Sequence, residues 1–234
     1  MKYRYAAVTD VGKREINEDS LLTMEGRYGL ACALADGLGG QGFGDVASQI
    51  AVEAVGEQLK GWFPVGKRRM TACVEEANRR VRRKQNEQSV PMMTTLSLLR
   101  TNGPYVHIAH VGDTRIYWFR DERILYQSTD HSVTQMMVTC GEISPEQVRG
   151  HASRNLLTRA IGYRAEVQAE YYRGRARHGD RLLLCTDGLT NMVADDDIAQ
   201  VLHGDAQILC QLNDVLFLGG QELVQRRIQV TDGH

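Results

Sequence analysis

The sequence predicts an α+β fold built from antiparallel strands and two pairs of helices. Three observations support this prediction. Short apolar runs bounded by turn signals recur along the whole chain, and Asn102-Gly103 is a strong hairpin signal between two of them. The longer helical patterns are two segments before residue 90 and two after residue 194. Strands and helices grouped in this way favour α+β over a doubly wound βαβ fold.

The first part of the chain predicts three strands and then two helices. The strands are Tyr3 to Thr9, Ser20 to Met24 and Tyr28 to Ala35, the last two joined by a turn at residues 25–27. Each helix carries one apolar stripe, and the helices are predicted over Gly42 to Gly61 and Lys67 to Glu87. The second helix also carries a basic run (Arg79, Arg80, Arg82, Arg83, Lys84), which we interpret as a solvated face rather than an anion site.

The rest of the chain predicts further strands and shorter helices. The predicted strands are Met93 to Arg100, Tyr105 to Val111, Thr114 to Arg120, Ile124 to Tyr126, Val167 to Arg173, Asp180 to Thr186 and Gln225 to Val230. The predicted helical segments are Val133 to Val138, capped by Asp130-His131-Ser132, then Asp195 to His203 and Asp205 to Leu218. Residues 142–155 are polar and predict a loop with short helical pieces.

Composition narrows the class of protein. The 234 residues suffice for one core, and we expect a single domain over residues 1–234, working as a monomer. A net charge of −1 argues against nucleic acid or an anionic membrane as the partner. Five scattered cysteines without a C-x-x-C pair favour a reducing compartment, and no apolar run approaches the ~18 residues of a membrane helix. We therefore expect a soluble, cytoplasmic protein.

Aspartates follow several of the predicted strands. Asp36 comes after the apolar run 28–35 and is followed by glycines at 37, 39 and 40. By itself this stretch is most simply an Asx turn that closes a strand. However, Asp113 and Asp187-Gly188 also end apolar runs, and Asn17-Glu18-Asp19 precedes another. If the strands pack in facing sheets, these carboxylates can meet, and hard cations such as Mg²⁺ and Mn²⁺ favour such oxygen ligands.

The same residues carry a resemblance that covers nearly the whole chain. Six motifs occur in order, and they are Arg14-x-x-Asn17-Glu18-Asp19, Ala35-Asp36-Gly37-Leu38-Gly39-Gly40, Val111-Gly112-Asp113-Thr114-Arg115, Thr129-Asp130-His131-Ser132, Arg154-Asn155-x-x-Thr158-Arg159-Ala160-Ile161-Gly162 and Leu184-Cys185-Thr186-Asp187-Gly188-Leu189. In this arrangement the sequence resembles the metal-dependent protein phosphatase family of the protein phosphatase 2C type, in its short bacterial form.

The resemblance implies both a fold and a reaction. The implied fold is a four-layer αββα sandwich of two antiparallel sheets flanked by helices. The implied reaction is removal of phosphate from phosphoserine and phosphothreonine in proteins, by attack of a hydroxide that bridges two Mn²⁺ or Mg²⁺ ions. The substrates would be proteins phosphorylated by a Ser/Thr kinase.

The resemblance also implies roles for individual residues. Asp36 would bridge the two metals, Asp187 would hold the first, and the Gly37 carbonyl with Glu18 and Asp19 would complete the second. Asp113, with Asp187, would hold a third and weaker ion. Arg14 would bind the substrate phosphate, for which its planar fork of donors is suited.

Three positions depart from the family pattern. Glu222 stands where an aspartate ligand of the first metal is expected, with Leu223 in place of an asparagine. We expect Glu222 to ligate through its longer side chain. Met93 replaces a glycine before Thr94-Thr95, and Gln41 replaces a histidine that many bacterial relatives carry. Gln41 cannot act as a general acid.

Two other functions remain open at this point. The altered Glu222-Leu223 segment would also suit a catalytically weakened member that binds a phosphoprotein or a kinase. A phosphohydrolase of small phosphoesters would need the same metals.

We interpret the histidines as structural rather than catalytic. His131 belongs to a capped turn, His107 and His110 are half-buried strand residues, and His151 is part of a polar flap.

Overall fold

A computed structural model describes residues 3–12, 14–26, 29–38, 42–60, 65–121, 123–204 and 213–219 of the chain. Its strands are β1 (Tyr3–Thr9), β2 (Asp19–Gly26), β3 (Gly29–Leu38), β4 (Met93–Thr94), β5 (Leu96–Asn102), β6 (Tyr105–Val111), β7 (Arg115–Arg120), β8 (Arg123–Gln127), β9 (Glu170–Arg175), β10 (Arg181–Cys185) and β11 (Asn213–Gly219). Its helices are α1 (Gly44–Leu59), α2 (Lys67–Gln88), α3 (Val133–Thr139), α4 (Pro145–Val148), α5 (Asp187–Thr190) and α6 (Asp195–Gly204).

One sheet is antiparallel throughout and follows the predicted hairpins. Its order is β2-β3-β5-β6-β9, and the short β4 pairs with the end of β3. β3 lies inside the sheet, and its residues 30–37 are all buried, as the continuous apolar run predicts. The predicted strand Met93 to Arg100 is divided into β4 and β5 at Thr95. Thr95 interrupts the strand because it hydrogen-bonds the backbone of Asp36. β9 begins three residues later than predicted, at Glu170, where pairing with His110 of β6 begins, and it ends two residues later, at Arg175.

The second sheet has the order β1-β11-β10-β7-β8. β7 is antiparallel to β8 and β10, whereas β11 lies parallel to both of its neighbours. The prediction of a helix over Asp205 to Leu218 is therefore wrong for residues 213–218. A short apolar run such as Val215 to Leu218 fits a buried strand as well as a helix by its pattern alone. The predicted strand Gln225 to Val230 lies outside the described residues.

Three apolar clusters separate the layers. The first lies between the α1–α2 pair and one face of the six-stranded sheet, and includes Ala51, Val74 and Leu98. The second fills the space between the sheets, where Leu34, Ile108, Trp118 and Leu184 meet. A third lies on the outer face of the second sheet and joins Phe119 and Leu183 to Ile198 of α6. The predicted αββα sandwich with antiparallel sheets and flanking helices is confirmed, with β11 as its parallel element.

The segment between β8 and β9 is polar and mostly exposed, as predicted. Ser132 caps α3 by accepting a hydrogen bond from the backbone of Gln135. A capping box of Ser144 and Gln147 starts α4, which has Pro145 in its first turn. No helix among the described residues is long and apolar enough to cross a membrane.

Candidate metal centre

Asp36 lies near the end of β3, inside the sandwich. Its side chain is buried, and burial raises the pKa of its carboxyl group well above the ordinary value. The charges of Asp19, Asp187 and Asp113 raise that pKa further, whereas Arg14 lowers it. A carboxyl group in such surroundings either takes up a proton or pairs with a cation.

The strand register places Asp19 directly opposite Asp36. The two residues are partners in the antiparallel β2–β3 pair, where opposing Cβ atoms lie about 4.5–5.5 Å apart. Thr186, which follows β10, donates its hydroxyl to Asp19 Oδ2 at 3.2 Å. Burial raises the pKa of Asp19, and the nearby Asp187 adds to that effect. Three of the predicted ligands are thus brought together from three parts of the chain.

Asp113 and Asp187 lie on a wider groove beside these residues. Both line a cavity of about 700 Å³ between the ends of the second sheet and the α3–α4 segment. Burial raises the pKa of Asp113 to about 7, with contributions from Asp187 and Asp130. The predicted association of Asp113 with Asp187 agrees with this geometry.

The loop after β1 supplies Arg14 and Glu18. The Arg14 guanidinium is half exposed, and its Nη1 donates to Glu18 Oε2 at 3.3 Å. The carbonyl of Glu18 accepts the backbone N–H of Gly37 at 3.0 Å. A Cβ on Gly37 would overlap the backbone of Gly44. The two backbone segments can therefore approach this closely only with glycine at both positions. Gly44 was not singled out from the sequence, although it follows the glycine-rich turn.

A small cavity joins these groups. It has a volume of about 20 Å³, room for roughly one or two water-sized occupants. Its described lining contains the acids Asp10, Glu18, Asp19, Asp36 and Asp187 together with Arg14. Asp10 was not singled out from the sequence. It directly follows the last residue of β1, and its side chain accepts the backbone N–H of Gly12 at 2.8 Å.

Two threonines fix the backbone of Asp36. The hydroxyl of Thr95 accepts the Asp36 N–H at 2.9 Å, and the Thr95 N–H donates back to the Asp36 carbonyl at 2.9 Å. Thr94 donates its hydroxyl to the same carbonyl at 2.8 Å. Thr95 also hydrogen-bonds Thr114, the residue after Asp113.

Met93, the bulky residue before Thr94 and Thr95, is half-buried and faces an open cleft, which explains how the chain accommodates it.

His131 holds the loop that carries Asp113. The ring Nδ1 of His131 accepts the Gly112 N–H at 3.1 Å, and the backbone N–H of His131 donates to the Gly112 carbonyl at 2.8 Å. Its ring stacks on His110, and burial lowers the pKa of His131 to about 3. These contacts agree with a structural histidine. His107 bonds the Tyr171 hydroxyl, and His151 accepts the backbone N–H of Ser153.

The donor set fits hard divalent cations. Carboxylates, a backbone carbonyl and water are the ligands that Mg²⁺ and Mn²⁺ prefer. Among the described residues no three His, Cys, Asp or Glu side chains close on one point. Such ions keep several waters, so an incomplete protein shell is compatible with them. The predicted ligand Glu222, its neighbour Leu223, and Gly39, Gly40 and Gln41 lie outside the described residues.

Comparisons with known proteins give one consistent result. The family model described as protein phosphatase 2C matches residues 10–214. The chain is 32% identical over 212 residues to protein phosphatase PhpP of Streptococcus pneumoniae, covering 85% of this chain and 83% of that protein. It is 35% identical over 206 residues to the serine/threonine protein phosphatase PstP of Mycobacterium tuberculosis, covering 86% of this chain and 39% of that protein.

Solved structures agree with this result. The serine/threonine phosphatase of S. agalactiae superimposes with a TM-score of 0.76 at 30% identity, covering 83% of this chain and 84% of that one. The catalytic domain of PstP in complex with two manganese ions superimposes with a TM-score of 0.72 at 33% identity, covering 84% and 82% of the two chains.

Proposed function

Because this chain belongs to the protein phosphatase 2C family and is a serine/threonine protein phosphatase, we propose that its buried acidic cluster is the metal centre of that reaction. The centre takes two Mn²⁺ or Mg²⁺ ions. Asp36 would contribute to the sites of both ions, and Asp187 would help to hold the first. Glu18, Asp19 and the Gly37 carbonyl would help to hold the second. Two further assignments rest on the family resemblance: Glu222 as a ligand of the first ion, and Asp113 with Asp187 at a third, weaker ion.

One observation carries this proposal. Asp19 and Asp36 are direct partners on adjacent strands, and both face Asp187 inside the fold. Carboxyl groups that are buried beside one another destabilise a protein when they are charged, unless a cation joins them. The arrangement is therefore costly for stability and useful for metal binding, which supports a functional role.

The chain's own residues have distinct tasks in the reaction. When bound, the two ions offset the charge of the phosphate dianion and lower the pKa of water toward about 7. Arg14 is half exposed beside the small cavity, where its guanidinium can donate two hydrogen bonds to phosphate oxygens. Thr94 and Thr95 keep the Asp36 backbone in place, so that its carboxylate needs little reorganisation.

The wider setting is also a proposal. We propose that residues 1–234 form one catalytic domain, which the pairing of β1 with β11 supports. We place the protein in the cytoplasm, because its described cysteines are free thiols. We propose that its substrates there are proteins that a Ser/Thr kinase has phosphorylated. We also propose that the protein acts as a monomer.

A hydrolysis assay tests the function directly. Turnover of a phosphothreonine peptide and of p-nitrophenyl phosphate is measured with EDTA and then with increasing Mn²⁺. Mn²⁺-dependent hydrolysis of both substrates is the expected result. Turnover of the small ester alone would contradict a protein phosphatase, and turnover of neither would indicate a binding module.

Calorimetry tests the assignment of Glu222. Mn²⁺ is titrated into the wild type and into Glu222→Gln. Weaker binding in the variant is expected if the carboxylate is a ligand. Equal affinity and equal turnover would show that Asp36, Asp187 and the N-terminal acids hold the metals without it.

A further inference from the structure

The basic run of α2 is mostly neutralised within the fold. Arg80 donates to Glu57 and Glu76, and Arg79 also pairs with Glu76. Lys84 and Arg83 lie near Glu87. Arg82 differs from these neighbours. It is half-buried, and in the described part of the chain it pairs with no carboxylate.

Arg82 faces a cleft instead. The cleft has a volume of about 510 Å³, and one side of it is formed by Arg82, Gln85, Asn86 and Ser89 of α2 and its C-cap. This spacing places the four residues on one helix face. The opposite side presents the half-buried Met93 and the ring of Tyr163, which is 50% exposed. Arg82 is the one charged side chain among the described lining residues.

The floor of the cleft is rigid. Gln85 Nε2 donates to the carbonyls of Met92 and Gly162, at 2.6 and 3.0 Å. Asn78 Oδ1 accepts the Gly162 N–H at 2.7 Å. Gly162 has φ +90°, and a Cβ there would lie 2.7 Å from the Met92 carbonyl oxygen. A preformed surface of this kind binds a flexible chain at a lower entropic cost than a mobile one.

The cleft lies close to the candidate metal centre in the fold. Thr94 pairs with Gly37 and Met93 pairs with Leu38 in the β3–β4 ladder. On its other side, Thr94 pairs with Ile161, which leads into Gly162 and Tyr163. The cleft therefore starts within a few residues of Asp36. An extended substrate advances about 3.3 Å per residue, so a few residues of polypeptide reach from the centre to Arg82.

We propose that this cleft binds the segment of a phosphoprotein that flanks the phosphorylated residue, and that it prefers an acidic flank. An acidic side chain would lie against Arg82, and an apolar part of the segment would lie against Met93 and Tyr163. The argument for this occupant is charge complementarity at Arg82 together with the closeness of the cleft to the metal centre, since Met93 of the cleft pairs with Leu38, two residues after Asp36. The inference rests on the proposed function and adds a substrate class to it.

Charge reversal at Arg82 tests the cleft. Two phosphothreonine peptides are compared, one with Glu and one with Lys at positions two to four on either side of the phosphothreonine, with p-nitrophenyl phosphate as a third substrate. Arg82→Glu should lower kcat/KM for the acidic peptide about three- to tenfold, since one exposed charge pair contributes up to ~1 kcal/mol and the reversal adds repulsion. The Lys peptide should not lose turnover, and the small ester should be unaffected.

Arg83→Glu is the matched control, because it makes the same charge change one residue along the helix, at a side chain that is 72% exposed and absent from the described cleft lining. It should change kcat/KM for each substrate less than twofold. Tyr163→Ala should lower turnover of both peptides and leave the small ester unchanged. Thermal unfolding of each variant identifies any loss of fold.

The outcomes separate this inference from the proposed function. An active wild type in which Arg82→Glu and Arg83→Glu lower turnover of the acidic peptide equally would overturn the cleft and leave the phosphatase intact. A second overturning result is an equal effect of Arg82→Glu on the two peptides. A wild type without peptide turnover would overturn both proposals.

Discussion

Asp180 and Asp36 are both buried aspartates, yet their surroundings are opposite. Asp180, which precedes β10, accepts two hydrogen bonds from Arg120 at 2.7 Å each, one from Trp118 Nε1 at 2.9 Å and one from the Arg177 N–H at 2.8 Å. Asp36 is surrounded by other carboxylates. The comparison teaches that burial does not identify a functional acid. The donors around the carboxylate decide whether it stabilises the fold or remains available to a cation.

The largest expected effect comes from removing the charge of Asp36. Asp36→Asn should lower Mn²⁺-dependent turnover by at least about a hundredfold, since it removes the carboxylate that we propose for the sites of both ions. The same change should stabilise the metal-free protein by about 1–3 kcal/mol, because it relieves an unfavourable buried charge. Turnover with a phosphothreonine peptide and unfolding in EDTA measure the two effects.

Opposite signs of these two effects distinguish a metal ligand from a structural acid. Near wild-type turnover of Asp36→Asn at saturating Mn²⁺ would contradict the two-metal centre. A loss of stability in EDTA would mean that Asp36 has donors which the described contacts do not include.

Asp180→Ala should show the reverse behaviour. Removing this carboxylate leaves the Trp118 N–H without its acceptor and leaves Arg120 with only its hydrogen bond to the Arg175 carbonyl. Breaking a buried ion pair costs about 3–5 kcal/mol. Urea denaturation measures the loss. Turnover per folded molecule should not change at temperatures where the variant remains folded, and a large fall in kcat would link this end of β10 to the chemistry.

The arginines beside the two acidic sites give a smaller, matched contrast. Arg14 donates to Glu18 at 3.3 Å and is half exposed, whereas Arg120 binds Asp180 through two short bonds. Arg14→Ala should raise KM about tenfold and weaken inhibition by free phosphate, with little change in stability. Arg120→Ala should lower the melting temperature and leave KM unchanged. Unchanged phosphate inhibition in Arg14→Ala would show that Arg14 is only a solvated loop cation.

The last effect is small over any one pH unit and concerns Asp113. Burial raises its pKa from 3.8 to about 7, so the native state holds a proton there that the unfolded chain has lost. This stabilising contribution is complete below pH 3.8 and is lost as the pH rises through 7. Metal-free wild type should therefore lose stability relative to Asp113→Asn by up to ~1.4 kcal/mol per pH unit between those values.

Denaturation in EDTA at pH 5, 6, 7 and 8 measures that difference. His110 and His131, whose pKa values burial lowers to about 4 and about 3, act in the opposite direction. Their contribution is lost as the pH falls below 6.5, but it is present in both proteins and cancels in the comparison. A difference that does not depend on pH would contradict a raised pKa at Asp113.

Local pattern predicted most of the fold. Tyr3 to Thr9 and Tyr105 to Val111 are strands with the predicted ends, because apolar alternation and turn residues bound them on both sides. The misses have tertiary causes. Thr95 leaves the line of β5 to bond Asp36, 59 positions earlier in the chain. Residues 213–218 form a strand between β1 and β10, because backbone pairing with both neighbouring strands outweighs the local helical pattern.

The acids of the site were predictable because each lies at or near an end of a strand, and sheet geometry brings such ends together. Their supports were less predictable. Thr94 was noted only as part of a family pattern, and Asp10 and Gly44 were not singled out, because their roles depend on contacts that only the fold creates. Residue type indicates which groups can bind a cation, whereas only the fold indicates which groups hold them in position.

The parallel placement of β11 has a consequence for the nascent chain. β1, which leads into Asp10 and Arg14, and β10, which leads into Asp187, lie on either side of β11. With a strand spacing of about 4.8 Å, β11 sets these two groups roughly 10 Å apart. Until residues 213–219 have been synthesised and inserted, the N-terminal half of the centre has no fixed position relative to its C-terminal acid. We infer that a chain arrested on the ribosome before residue 213 has no competent metal centre, so that dephosphorylation begins only after residues 213–219 have been synthesised and inserted. Mn²⁺-dependent turnover by such an arrested chain would disprove this.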